Sequence, residues 1–365
     1  MRRFALLILA APLLVSQELP LDGYAHAGFR ACDLAATRHY YAEVLGFEEV
    51  FAKKDEKGSV QIAFFKVNED QYLELSPNLP PGEDVRLTHI AIQTADIAGL
   101  RRLLQARGLD VPEPKKSSDG NLNFSLRDPE NLRVEFVEYQ FDSMQRRAKG
   151  AFMTRRRVST HLQHTGVIIP AARLAQALKF YRDQLGLVET WRNEPTPGDV
   201  RLVKLRIPGQ GRDVVELMVN HGLLTRQRIG AMHHINLEVP DIHAAYRFLG
   251  ERHAPGVEKA EPRVNIENIL GNELFRPRWH ADGDSGFETG AVATSKHAAI
   301  RIYAQGNPAF EKERSHDAGN HRGCWAMPAG VSRSDISAPG GLHQLTADQR
   351  QGGTHDLRAA HRRVR

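Results

Sequence analysis

HAGFRACDL from His26, HIAIQTADI from His89, HTGVIIPAARL from His164 and HINLEVPDI from His234 open four stretches of this chain in one way. In each, apolar residues alternate over a short run, which predicts a β-strand. Three of them then place an Asp seven residues after the His, at Asp33, Asp96 and Asp241, where it can cap a following helix. The third carries a two-residue insertion. The helices expected next include LAATRHYYAEVLGF and LAQALKFYRDQLGL, with Gly46 and Gly186 placed to stop them. Strand-like runs follow: SVQIAFFKV and QYLEL, then NFSLRDPENLRVEFVEY, then VRLVKLRI and DVVELMV. The repeating unit is therefore βαβββ. A unit of ~50 residues cannot cover its own apolar face, so units should pair. The expectation is an α+β fold of tandem βαβββ modules, modules one and two forming a domain over 21–142 and modules three and four a second over 161–283.

The 365 residues suit two domains at ~150 residues each, and 41% hydrophobic with 25% charged residues is ordinary for a globular chain. Cys32 and Cys324 alone exclude a disulfide framework and a cysteine zinc site, so any metal needs His and carboxylate ligands. Of the net charge of +5, residues 276–365 contribute 13 Lys and Arg against 9 Asp and Glu, or +4. Residues 143–160, SMQRRAKGAFMTRRRVST, hold six basic residues and read as a solvated linker. No aromatic ladder accompanies them, so nucleic acid is not an expected partner. The N-terminus has two arginines and then a 13-residue apolar run from Phe4 to Ser16. That is the outline of a signal peptide over 1–20 and falls short of the ~20 residues of a membrane span, so an exported protein, periplasmic or secreted, is expected.

A Glu sits on the last strand of each complete module: Glu74 in YLEL, Glu135 in RVEFVEY and Glu216 in VVELM. A single His on a strand is usually structural, but a repeated His with a repeated Glu is a ligand pattern. His26, Glu74, His89 and Glu135 would form a two-His, two-Glu site if the sheet curls. Imidazole and carboxylate suit one divalent ion: Zn, Ni, Co, Mn or Fe.

The chain resembles the vicinal oxygen chelate superfamily, which contains glyoxalase I, bleomycin-resistance proteins and extradiol dioxygenases. The resemblance rests on His26 with RACDL and YYAEVLGF, His164 with KFYRDQLGL, and DPENLRVE ending at Glu135, and it spans roughly residues 24 to 275. It implies two glyoxalase-like domains whose metal binds neighbouring oxygens of a small-molecule substrate. It places His26, Glu74, His89 and Glu135 on the metal, Arg30 and Asn78 on the substrate, and Glu135, or second Glu74, as the base. The implied reaction is a lyase or isomerase step on a small carbonyl or diol compound: proton abstraction beside a carbonyl, with a metal-stabilised enediolate. An extradiol dioxygenase is the alternative enzyme. Its fingerprint has a Tyr where Ser125 stands and Gly or Pro where Asn131 stands, which weakens that reading. A bleomycin-resistance-like binding cup is the non-catalytic alternative.

The fourth module departs from the pattern after Phe275, where an Asp-Pro turn is expected and RPRWHADG stands. Back-translated with one base dropped, that stretch is compatible with Asp-Pro-Asp-Gly-Thr-Arg-Thr-Glu. The expectation is a truncated fourth module, a reading-frame offset from codon 276 and a disordered or frameshifted tail over 284–365. His164, Glu216 and His234 would then form a second site one ligand short, in a domain with open sheet edges.

Overall fold

The computed structural model describes residues 18–80, 83–209, 211–255 and 257, and the backbones of three strands at 263–264, 270–274 and 298–303. The leader expected over 1–20 falls outside the described residues up to residue 17. So do the junction at codon 276 and, apart from 298–303, the expected tail.

The first module runs β1 (Leu21–Arg30), α1 (Leu34–His39), β2 (Glu48–Lys54), β3 (Val60–Lys66) and β4 (Tyr72–Ser76). The second runs β5 (Leu87–Thr94), α2 (Ile97–Ala106), β6 (Lys115–Lys116), β7 (Leu122–Arg127) and β8 (Arg133–Glu138). Together they make one eight-stranded sheet in the order β2-β3-β4-β1-β5-β8-β7-β6, so the two His-bearing strands lie side by side at its centre. After α3 (Met144–Arg147) the third module gives β9 (His161–Pro170), α4 (Leu174–Leu178), β10 (Val188–Asn193), β11 (Leu202–Arg206) and β12 (Val214–Asn220). Next come α5 (Arg226–Met232), β13 (His234–Val239), α6 (Ile242–Glu251), β14 (Arg263–Val264), β15 (Leu270–Leu274) and β16 (Ala298–Tyr303). The second sheet repeats the order of the first, β10-β11-β12-β9-β13-β16-β15-β14.

The local chemistry follows the repeats. Asp33, Asp96 and Asp241 each cap a helix, accepting from the amides of Ala36, Gly99, and His243 with Ala244. The third module has no Asp there and enters its helix through a 3₁₀ turn, Ala171–Arg173, without a side-chain cap. In modules one and three the helix widens into a π turn, Tyr40–Val44 and Lys179–Gln184. The extra residue turns adjacent aromatics inward, Tyr40 with Tyr41 and Phe180 with Tyr181.

One hydrophobic cluster runs through both sheets, joining Leu73, Ile90 and Phe136 of the first with Leu162, Val215 and Ile235 of the second. Polar bonds cross the junction. The Tyr24 amide donates to Asp213 Oδ2 at 2.7 Å, and Gln71 exchanges bonds with the Leu162 backbone at 2.8 and 3.1 Å. The Tyr181 hydroxyl donates to Asp128 Oδ2 at 2.9 Å.

One expectation gains a detail and another is corrected. Residues 143–160 keep their six basic side chains exposed or half-buried, but the segment is anchored at several points. Ser143, Gln145, Ala148 and Val158 are buried, and the Lys66 ammonium, itself buried, donates to the carbonyls of Ala148 and Ala151 at 2.6 and 2.9 Å. A charge count across the segment hides these anchors because the buried cation that holds it lies on β3. The second sheet does not stop at an open edge after its fourth module is interrupted, because β16 fills the place of the final strand. It does so reversed. β16 is antiparallel to β13 and parallel to β15, whereas β8 is parallel to β5 and antiparallel to β7. A tight Asp-Pro turn joins β7 to β8 and forces antiparallel pairing. Residues 275–297 separate β15 from β16 and permit a crossover.

Candidate metal centre

Strand register assembles the site in two rows. Phe64, Glu74, Gly28, His89 and Arg133 stand opposite one another across β3, β4, β1, β5 and β8. The neighbouring row is Tyr72, His26, Ala91, Glu135 and Ser125, across β4, β1, β5, β8 and β7. The rows are two residues apart along the strands, so their side chains share a face. Glu74 and His89 flank the bare Gly28, and His26 and Glu135 flank the small Ala91. A hollow with four donors around it results.

His26 Nε2 lies 2.9 Å from His89 Nε2, 3.3 Å from Glu74 Oε1 and 3.9 Å from Glu135 Oε1. Glu74 Oε2 lies 3.4 Å from His89 Nε2. His26, His89 and Glu135 each place a ligand atom within 4.8 Å of the other two. All four residues are buried. Burial drives the His26 pKa down to about 4, against the pull of Glu74. Burial, and after it the charges of Arg133 and Lys53, holds His89 well below the usual histidine range. Burial and then the Glu74 carboxylate push Glu135 up to about 7. The imidazoles are thus neutral lone-pair donors, and two crowded carboxylates need a counter-charge. A divalent cation fits that donor set.

The second sheet repeats the rows with changed members. Lys204, Glu216, Gly166 and His234 form one, and His164, Asn236 and Arg301 the other. His164, Glu216 and His234 converge within 4.8 Å, with the two imidazole Nε2 atoms 3.2 Å apart. His234 points into this cluster, and the adjacent His233 points away from it. The Lys204 ammonium lies 3.8 Å from Glu216 Oε2 and takes the cross-strand place that Phe64 holds beside Glu74. Asn236 fills the place of Ala91, and the backbone of Arg301 stands in the register of Glu135.

The profile described as the Glyoxalase/Bleomycin resistance protein/Dioxygenase superfamily matches residues 23–136 and 161–288. The chain belongs to this superfamily. Among solved structures, a variant of homoprotocatechuate 2,3-dioxygenase from B. fuscum in complex with HPCA is similar at 17% identity. The match covers 80% of this chain and 74% of that one with a TM-score of 0.52, a likeness of fold alone. The Mn(II)-bound glyoxalase from Novosphingobium aromaticivorans is 16% identical over 78% of this chain and 82% of its own, with a TM-score of 0.49. A variant of Streptomyces coelicolor methylmalonyl-CoA epimerase, in complex with 2-nitronate-propionyl-CoA, is 25% identical over 34% of this chain and 98% of its own, with a TM-score of 0.29. No curated protein matches the chain. Among the described residues no helix is long and apolar enough to cross a membrane.

In this glyoxalase-superfamily chain the first site opens on a cleft of about 600 Å³, with Glu74 and His89 in its wall. The second domain completes the cleft with Val167, Ile168, Ile229, Arg226 and His233. Arg30 lines it. Asn78 does not; it is exposed in the loop after β4 with a left-handed backbone, φ 65°, which an Asn tolerates. Sequence reasoning missed Gly28, Ala91 and Lys204. A Cβ added at Gly28 would overlap the His89 ring, and one at Gly166 the His234 ring. The signal was present as His-x-Gly in both odd-numbered modules, at His26 with Gly28 and His164 with Gly166.

Proposed function

We propose that the first domain is a metal-dependent vicinal-oxygen-chelate enzyme, a glyoxalase-like lyase or isomerase acting on a small carbonyl or diol compound. The observation that carries the reading is the convergence of two neutral imidazoles and two carboxylates in a hollow that opens on a cleft. His26, Glu74, His89 and Glu135 would hold one divalent ion. When bound, that ion supplies a Lewis acid that polarises a substrate carbonyl.

Glu135 accepts the proton from the carbon beside the carbonyl and returns it to the neighbouring carbon. To take the proton Glu135 would leave the ion, and burial with the neighbouring Glu74 carboxylate, which push its pKa up to about 7 in the metal-free protein, then favours its protonated form. Glu74, bracketed by both imidazoles, orients them and is the second candidate for the base. The buried wall of the hollow excludes water around the reacting carbon. His164, Glu216 and His234 are a weaker candidate set, since Lys204 already lies beside Glu216 and the larger Asn236 stands in the register of Ala91.

A ring-cleaving dioxygenase is the second reading, favoured by His26, His89 and Glu135 meeting as a two-His, one-carboxylate group. Proton NMR in heavy water separates the two. Zn- or Mn-loaded protein incubated with 2-hydroxycarbonyl compounds should exchange the hydrogen beside the carbonyl, and Glu135→Gln should not. Oxygen uptake with catechols by the Fe-loaded protein, without such exchange, would sink the first reading.

A further inference from the structure

Four guanidinium groups wall the cleft that Glu74 and His89 face: Arg30 ending β1, Arg127 ending β7, Arg133 opening β8 and Arg226 opening α5. Three carboxylates line it too, but each is already engaged. Glu74 belongs to the candidate metal centre, Glu83 is bonded by Arg226, and Glu130 is bonded by Arg173 at 3.1 Å. Arg30 and Arg127 are exposed, and neither is paired with a carboxylate among the described residues. Arg127 spends one donor on the Asn131 carbonyl at 2.9 Å and keeps the rest of its fork. Unpaired arginines in a concave wall focus positive potential and match the paired oxygens of a carboxylate or phosphate.

Arg133 stands nearest the chemistry. It donates to His89 Nδ1 at 2.7 Å and lies 3.7 Å from Glu135 Oε2. An arginine has no lone pair to offer, so this bond places the His89 ring proton on Nε2. Ligation through Nε2 requires the opposite tautomer, with Nδ1–H donating to Thr88 Oγ1, 2.8 Å away. Loading the site would therefore release the Arg133 guanidinium from the ring.

We propose that the substrate carries an anionic group, a carboxylate or phosphate, held by Arg30, Arg127 and Arg133, in addition to the neighbouring oxygens that meet the metal. This rests on the reading of the first site as a metal centre, and it adds the class of molecule the cleft selects.

The test uses the full chain loaded with Zn and three bidentate probes that differ in charge. Acetohydroxamate is uncharged beyond its chelating oxygens, malonic acid monohydroxamate adds a carboxylate, and phosphonoacetohydroxamate adds a phosphonate. Calorimetry should show one or both charged probes binding roughly 10- to 100-fold tighter than acetohydroxamate, as charge-assisted hydrogen bonds allow. The tighter of the two tells carboxylate from phosphate. Arg30→Ala with Arg127→Ala, both at exposed positions, should erase most of that advantage and leave acetohydroxamate binding unchanged. Equal affinity for all three probes overturns the anion site and leaves the metal reading standing. Failure of all three to bind overturns both. Should the chain take up no metal, inorganic phosphate titrated into it still decides: binding lost in the double variant upholds the anion site, and no binding overturns it.

Discussion

Glu135 shares the hollow with both imidazoles and, held at about 7 by burial and then by Glu74, is still partly protonated near neutral pH. A carboxylic acid must lose its proton to ligate, whereas His26, at about 4, is already neutral. Metal affinity should therefore rise about tenfold per pH unit up to about pH 7 and then level, and Glu135→Gln should flatten the profile. Competition against a chelator from about pH 5.5 to pH 8.5 reads this directly. In the metal-free protein the signs oppose. Glu135 has a raised folded pKa, so its contribution is lost as pH rises from 4.5 through about 7. His26 has a lowered one, so its contribution is lost as pH falls from 6.5 through about 4. Gly28 is the other decisive residue. Gly28→Ala forces the His89 ring out of the hollow and should cut metal affinity about 10-fold or more, with circular dichroism showing the sheet retained.

At the scale of elements, strands and capped helices were legible because each is a local pattern: alternation, then Asp, then a Gly stop. His26, Glu74, His89 and Glu135 were legible because the pattern recurs. Lys204 and Ala91 were not, since their meaning depends on which strand lies opposite, and register is set by pairing between residues far apart in the chain. The buried Ser143 and Gln145 were hidden for the same reason, their partners lying on other elements. The direction of β16 was also illegible, because it depends on the connection after β15. Since β16 shields the edges of β13 and β15, ending the chain at Phe275 should expose both. Limited proteolysis should then cut within the second domain at protease levels that leave the full chain intact. Equal resistance would show that β16 contributes nothing there.

Across the whole molecule the two sheets share one core, and Asp213 is the polar knot between them. It accepts from the Tyr24 amide, from Gln71 Nε2 at 3.1 Å and from His161 Nε2 at 2.6 Å. Asp213→Ala leaves the buried Tyr24 amide and Gln71 without their acceptor, takes an ion-pair partner from the half-buried His161, and should cost about 2–4 kcal/mol in urea unfolding. Burial opposes the charge on His161, but its bonds to Asp213 and Glu238 outweigh that and raise its pKa. Its contribution is complete below 6.5 and lost as pH rises through the raised value, so the Asp213→Ala penalty should be larger near pH 6 than near pH 9. The second domain also supplies a wall of the cleft, which gives it a role whether or not its own His and Glu cluster binds an ion. The decisive quantity is divalent metal per chain, measured by plasma mass spectrometry on the full chain beside Glu135→Ala and Glu216→Ala. One ion per chain, lost with Glu135→Ala and kept with Glu216→Ala, is the predicted result. No ion, or an ion lost with Glu216→Ala and kept with Glu135→Ala, would contradict a metal centre in the first domain.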